Sequence, residues 1–355
     1  MERVTKLDDL HMIPRSTPPI ARGLSESSEF TDDVMCLASD AVQWLGVGQV
    51  HVRGFGNLTL SREAKLQVSR VCGIKNWDLL FGHHEPAEIQ ETMTRHFTRR
   101  EDREGLVFKV IARRLTEQER SKSTADGYLR GFVSPGYGRL RDVEILDSLR
   151  TTAGSELAEY RVCAPILSNS QSYFTFLAPQ RHEIPGVGQR VLAGFKIGNS
   201  EIGMRAWTMD MFLYMLLCTN GAKVLLDGDS LIQRRHTKSI TDDRAKLMTE
   251  AWQRIPTQRD GALKILAKLT EIPLAQPLNE LRQQLLGLPA YIQEAAQRAF
   301  NEQPGSTAYH VFQAMTRIGV AAQGDSGLQD SLQGLGGAYA VRMLHRGATQ
   351  AVAVS

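Results

Sequence analysis

The sequence predicts an α+β fold: a central antiparallel sheet, flanking helices and a helical C-terminal region. Apolar runs of strand length alternate with turn signals between residues 107 and 232. Amphipathic helical spacings precede them, and proline-separated helical patterns follow Ile240. Strands grouped together, with helices before and after, match the α+β class. The core stretch opens with an apolar strand over 191–197, which breaks at the turn-forming triplet Gly198-Asn199-Ser200. The apolar pattern resumes over 212–218 and turns at Asn220-Gly221, a dipeptide that accepts positive φ in a tight hairpin. The return strand is expected over 223–232, ending in Arg234-Arg235-His236.

Residues 1–30 carry prolines and serines without periodicity and read as a flexible arm that orders on a partner. Thr31 is placed to cap a helix over 32–45, with Val34, Leu37, Ala38, Ala41 and Leu45 on one stripe. A strand over 49–60 comes next, then a helix opened by Ser61 and ending near Cys72. A short helix after Asn76 precedes one that starts at Pro86 and runs to about residue 99. Strands are expected over 107–112 and 127–133, with an exposed loop over 116–126 between them. The segment Ser134-Pro135-Gly136-Tyr137-Gly138 is a dense turn signal. Asp142 is expected to cap a helix whose Val143, Ile145, Leu146 and Leu149 face inward. A hairpin of 160–167 with 173–177 leads into the core stretch.

Helices are expected over 241–254, 259–269, 278–286, 290–300 and 306–318, separated by Pro256, Pro273, Pro277, Pro289 and Pro304. The segment 321–355, rich in Gly, Gln, Ala and Ser, reads as a mobile or subunit-contacting tail with a short helix over 339–344. Four regions result: the arm (1–30), an α+β core domain (31–240), a helical region (241–320) and the tail.

The composition, 42% hydrophobic and 23% charged over 355 residues, is that of a soluble globular chain. A net charge of +3 does not by itself imply nucleic acid, because placement matters more than the total. Cys36, Cys72, Cys163 and Cys218 lie far apart and form no C-x-x-C pair, which fits free thiols in a reducing cytosol. The most apolar run, 212–218, is far shorter than the roughly 20 residues that cross a bilayer. A protein of the host cytoplasm is therefore expected, with no membrane contact.

Catalytic signatures are missing. The segment from Gly198 to Gly203 misses the G-x-S-x-G elbow by one residue. The GxG fragments at 46–48, 54–56, 136–138 and 186–188 lack the third glycine of a dinucleotide site, and no P-loop lysine follows a glycine-rich turn. No cofactor is expected. His83-His84-Glu85 does not complete H-E-x-x-H. Glu201, Asp210, Asp227 and Asp229 are the carboxylates that a metal-dependent enzyme could use, though Asp227 and Asp229 flank Gly228 as turn residues do.

The positive feature is basic residues interleaved with strand aromatics. Arg130, Arg139 and Arg141 surround the turn bearing Tyr137, and Lys196 and Arg205 flank the Asn199 turn, close to Trp207. Lys223 starts the return strand, and Arg234, Arg235, His236 and Lys238 end it. Lys and Arg aligned on a sheet neutralise phosphates without reading sequence. Tyr137 and Trp207 are candidates to stack on unpaired bases, which suits single strands. The competing reading is solvated hairpin ends whose charge nearby carboxylates balance.

The stretch from Tyr128 through Arg130, Ser134, Tyr137 and Leu140 to Asp142 resembles a recurrent motif of a widespread phage- and plasmid-encoded family of unknown function. There an arginine-bearing strand meets a Ser-x-x-Tyr-x-x-hydrophobic-x-Asp/Asn turn. A second match runs over 199–203 and 217–221, with Arg234-Arg235-His236 after it, and a third covers 307–316. The chain departs from the pattern at Pro135-Gly136, where the family more often has charged residues, and in its longer proline-broken helices over 255–305. The resemblance implies a mobile-element role in genome maintenance, recombination or counter-defence. By analogy of layout, it is also similar to phage single-strand annealing proteins of the Rad52-like group.

The expected function is thus a non-enzymatic single-stranded DNA-binding and annealing protein of a phage or plasmid, acting without nucleotide hydrolysis. Its expected partners are single-stranded DNA, further copies of itself in a ring or filament, and a phage or host exonuclease. The alternatives are a structural or nuclease-inhibiting protein of the mobile element, and a metal-dependent nucleic-acid enzyme using Glu201 and Asp210.

Overall fold

The computed structural model describes residues 32–37, 42–46, 48–72, 85–104, 108–115, 117–163, 165–167, 170–215, 220–223, 230–321 and 326–353. The N-terminal arm, the short helix after Asn76 and the pair His83-His84 lie outside these described residues. The fold is α+β, built on two sheets with helices around them and a helical C-terminal region.

The first sheet holds β1 (Asp32–Leu37), β2 (Val42–Gly46), β3 (Gln49–Val52), β4 (Gly56–Leu60), β5 (Phe108–Arg114) and β6 (Gly127–Val133). Their order is β1-β5-β6-β4-β3-β2, and β4 with β6 is the parallel pair. The helix expected over 32–45 is instead two strands. β1 pairs with β5 along its whole length, from Asp32 opposite Arg113 to Leu37 opposite Phe108. In β2, Val42 and Trp44 are buried while Gln43 is exposed, which is the two-residue alternation of a half-buried strand. Sheet pairing thus overrides a local spacing that also fits a helix. The expected strand over 49–60 is the β3–β4 hairpin.

Helix α1 (Arg62–Cys72) starts where the Ser61 hydroxyl accepts the Ala64 N–H at 3.1 Å, a side-chain N-cap. Helix α2 (Pro86–Glu104) begins on its proline, as expected. Ala64 and Val68 of α1 and Ile89 and Met93 of α2 cover one face of the sheet, against Val50, Leu58, Val110 and Leu129. A one-turn helix, α3 (Glu117–Arg120), sits within the loop between β5 and β6.

Helix α4 (Asp142–Ala153) links the two sheets and continues as a 3₁₀ turn over Gly154–Glu159. Its cap is Arg141, not Asp142; Glu144 reaches back to the Arg141 N–H at 2.8 Å. Ile145, Leu146 and Leu149 are buried as expected, and Val143 is half-buried.

The second sheet holds β7 (Arg161–Val162), β8 (Ile166–Leu167), β9 (Ser172–Ile184), β10 (Gln189–Asn199), β11 (Trp207–Met215), β12 (Asn220–Lys223) and β13 (Ile232–Arg234). Its path is β12-β11-β10-β9-β7, with β13 on β11 and β8 on β9. Gly198 and Asn199 complete β10, and the turn starts at Ser200, whose C=O accepts the Gly203 N–H at 3.2 Å. Asn220-Gly221 is not the hairpin turn: Asn220 pairs with Met215 and Gly221 with Tyr214. The connection between β11 and β12 and residues 224–229 between β12 and β13 lie outside the described residues.

One face of this sheet presents Phe195, Ile197, Met209 and Met211 to α4 and the start of α5 (Ile240–Glu271). Along the same strands Val191, Ala193, Leu213 and Met215 meet the end of α5, together with α6 (Pro277–Gln284), α7 (Ala290–Glu302), α8 (Ala308–Ala321) and α9 (Ser326–Ala353). Helix α5 therefore spans both clusters. It was expected as two helices broken at Pro256, but it runs unbroken. A proline inside a helix costs about 3 kcal/mol. Burial on both sides of it, of Ala251 and Ile255 before and Ala262 and Ile265 after, offsets that cost.

The expected short helix over 339–344 is the middle of the long helix α9. Leu332, Tyr339, Ala340 and Met343 are buried and share one apolar cluster with α8. Gly334, Gly336 and Gly337 between Leu332 and Tyr339 hide this stripe in the sequence.

Gly194 marks the tightest approach between β9 and β10. A Cβ there would fall 1.8 Å from the Phe176 carbonyl oxygen, beside the register shift between Leu192 and Gly194. Gly194→Ala is expected to lower stability by about 2–3 kcal/mol, the cost of overpacking a closed core. Urea unfolding checks this, and a variant with the parent's midpoint contradicts it.

Candidate nucleic-acid interface

The basic residues divide into an inner set, a set in the seam between the sheets and an outer set. Lys196 lies in β10, 2% exposed, directly across from Asp210 of β11. Its Nζ is 3.0 Å from Asp330 Oδ1 of α9 and donates to Gln333 Oε1 at 2.8 Å. Arg205 meets the other Asp330 oxygen at 3.3 Å and donates to Thr208 Oγ1 at 3.0 Å. Both cations lie over the Tyr173 ring, at 4.5 Å and 4.6 Å from its centroid. Trp207 is fully buried in the core beneath α5. Expected on a binding surface, Lys196 and Trp207 are interior in this structure, and Arg205 faces a carboxylate of its own chain.

The second group forms the seam between the sheets. Tyr137 is 6% exposed, stacks on His236 with centroids 5.3 Å apart, and donates to the Ser200 C=O at 3.2 Å. It is a wall of the seam, not a platform for bases. Arg139 donates to Glu201 at 2.6 Å, and the other Glu201 oxygen accepts the Asp142 N–H at 2.9 Å. A carboxylate there also complements the positive end of α4.

The buried Asp142 carboxylate accepts from Asn199 Nδ2 and Ser172 Oγ, both at 2.7 Å. Burial raises its carboxyl pKa from 3.8 to about 6; the Glu201 charge adds to this, while those two hydrogen bonds and the charge of half-buried Arg130 oppose it. Asn199 also donates to the Leu140 C=O at 3.0 Å. Burial lowers the His236 pKa. The carbonyls of Gly138 and Arg205 oppose that shift without reaching hydrogen-bonding geometry.

The outer set is solvent-facing. Arg234 and Arg235, at the end of β13 and just beyond it, and Lys238 are exposed. Arg141 is exposed and reaches Glu144 at 3.2 Å. Tyr137 and Thr237 pair in an isolated antiparallel bridge, and the Gly138 N–H donates to the His236 C=O at 3.1 Å. The bridge lays the segment bearing Arg139 and Arg141 beside the one bearing Arg235 and Lys238. Arg234 stands opposite Trp207, not near Asp210 as hairpin pairing around Asn220-Gly221 implied. Lys223 sits on β12 opposite Phe212.

Glu201 and Asp210, the carboxylates considered for a metal, each face a basic residue: Arg139 for the first and Lys196 across the strand pair for the second. Among the described residues no group of three or more His, Cys, Asp or Glu is placed to hold a metal ion. No described helix is long and apolar enough to cross a membrane. Sequence reasoning missed Asp330, Gln333 and Ser172. Lys196 inside an apolar strand was the available signal, because a buried ammonium needs a partner. The chain matches no family model, no curated protein and no solved structure.

Two outcomes follow. Lys196→Met is expected to cost about 2 kcal/mol by removing one of the two cations on the buried Asp330 carboxylate; a parent-like thermal midpoint contradicts the pairing. Asp142 binds its proton more tightly folded than unfolded, so its contribution is complete below about pH 3.8 and is lost as pH rises through about 6. Asp142→Asn should flatten that part of the stability–pH profile by about 3 kcal/mol. Parallel profiles for variant and parent would refute the assignment.

Proposed function

We propose that the chain binds single-stranded nucleic acid through its phosphates, without nucleotide hydrolysis, on the surface around the Tyr137–Thr237 bridge. The observation that carries this reading is the bridge itself, which brings two basic segments far apart in sequence side by side. Arg141, Arg234, Arg235 and Lys238 are the exposed members, and phosphate neutralisation by such side chains is sequence-independent. Strand annealing within a mobile element's recombination, by a multimer of this chain in the host cytoplasm, extends the resemblance in the sequence. Phosphate contact alone supports the binding step, since Tyr137 and Trp207 are enclosed.

A second reading is a non-enzymatic interaction protein that inhibits a host nuclease. The corner between α6 and α7 favours it, where Leu286 is 75% and Tyr291 50% exposed. Exposed large apolar side chains mark protein contact sites where they form a patch.

Replacing Arg234 and Arg235 together by Gln separates the two. Both side chains are exposed, so the melting temperature should stay within about 1–2 °C of the parent's. Affinity for a single-stranded oligonucleotide should fall. The slope of log affinity against log salt should shrink by about 1.4, roughly 0.7 for each lost contact. A folded variant that binds like the parent at every salt concentration rejects the first reading.

A further inference from the structure

We propose that Lys196 and Arg205 form an anion-binding site that Asp330 fills in cis, and that a phosphodiester group of a bound strand competes with Asp330 for it. This rests on the nucleic-acid reading above and adds an autoinhibitory contact to it.

The site has the features of one built for an anion. Two cations from different segments each take a separate oxygen of one carboxylate, at 3.0 and 3.3 Å. The two non-bridging oxygens of a phosphodiester offer a similar pair of acceptors. Tyr173 lies under both cations and positions them without adding negative charge. Arg205 is fixed further by Thr208 and by the Ala206 carbonyl at 3.4 Å. The backbone is bare where the guanidinium lies: a Cβ on Gly198 would come within 2.7 Å of Arg205 Cζ. Asp210, across from Lys196, offsets one positive charge. Two cations and one carboxylate leave a single net positive charge once Asp330 departs, which matches one phosphodiester.

The occupant sits on a separable part of α9. Asp330 and Gln333 precede Gly334, Gly336 and Gly337, whereas buried Tyr339, Ala340 and Met343 follow them. Glycine inside a helix costs about 1 kcal/mol relative to alanine, so the helix parts most easily there. Residues 328–333 are held by the Asp330 and Gln333 contacts and by Leu328 and Leu332, which pack on the same apolar cluster. Anchored beyond the glycines, the distal half remains in the core while the proximal half lifts.

The test is Asp330→Asn in the full chain. The variant should bind a single-stranded oligonucleotide at least about tenfold more tightly than the parent, and adding Lys196→Met should abolish that gain. Inorganic phosphate should also raise the variant's melting temperature by several degrees more than the parent's. A folded variant with unchanged affinity and no extra phosphate response overturns the proposal.

If the variant does not fold, amide exchange in the parent decides. Residues 328–333 should lose protection at saturating oligonucleotide, and unchanged protection rejects the competition. Should the parent bind no oligonucleotide at all, the nucleic-acid reading fails and the competition with it. The anion site itself then stands or falls on the phosphate response of Asp330→Asn.

Discussion

Glu201 ties the two sheets together by accepting from Arg139 with one oxygen and from the first backbone N–H of α4 with the other. The turn that carries it projects from the second sheet onto the first. There Gln67 of α1 donates to the Ile202 C=O at 2.6 Å and accepts the Phe132 N–H at 2.7 Å. Ile202 fills an apolar cluster with Ile111, Val133 and Tyr137. Nearly every feature of the candidate surface depends on this seam. The Tyr137 stack on His236 fixes the bridge to Thr237, and the bridge sets where Arg235 and Lys238 emerge. Buried hydrogen-bonded groups are costly to unpair, so the seam resists sliding of one sheet past the other.

The same seam sorts the cations. Lys196 and Arg205 lie on the inner side, matched by Asp330, and stabilise the packing of α9 on the sheet. Arg139 is neutralised within the seam. Arg234, Arg235 and Lys238 emerge in water, where a charge costs nothing to maintain and is available to a polyanion. In this arrangement the interior cations pack α9 on the sheet while the surface cations face water.

Much of the fold was legible because it follows from period and punctuation. The strand Gly127–Val133, the helix after Ser61 and the start of α2 at Pro86 fall where alternation, an N-cap residue and an N1 proline place them. The misreadings have physical causes. The β1–β2 region carries apolar residues at spacings that suit either a helix or paired strands, and β5 decides between them. Pro256 is tolerated because tertiary burial holds both flanks. In α9, small residues separate the buried Leu332 and Tyr339, which hides the helix. The candidate site was legible in residue type but not in exposure: the basic clusters were visible, whereas the partner Asp330 lies far along the chain and no local spacing connects it to Lys196.

The most direct test of the division between inner and outer cations is photo-crosslinking of the full chain to a single-stranded oligonucleotide bearing bromouracil, with the attachment sites mapped by mass spectrometry. The account predicts attachment within residues 139–141 and 233–239, where the bridge gathers the exposed cations. Attachment confined to the helical region around Leu286 and Tyr291, with none in those two segments, would contradict it.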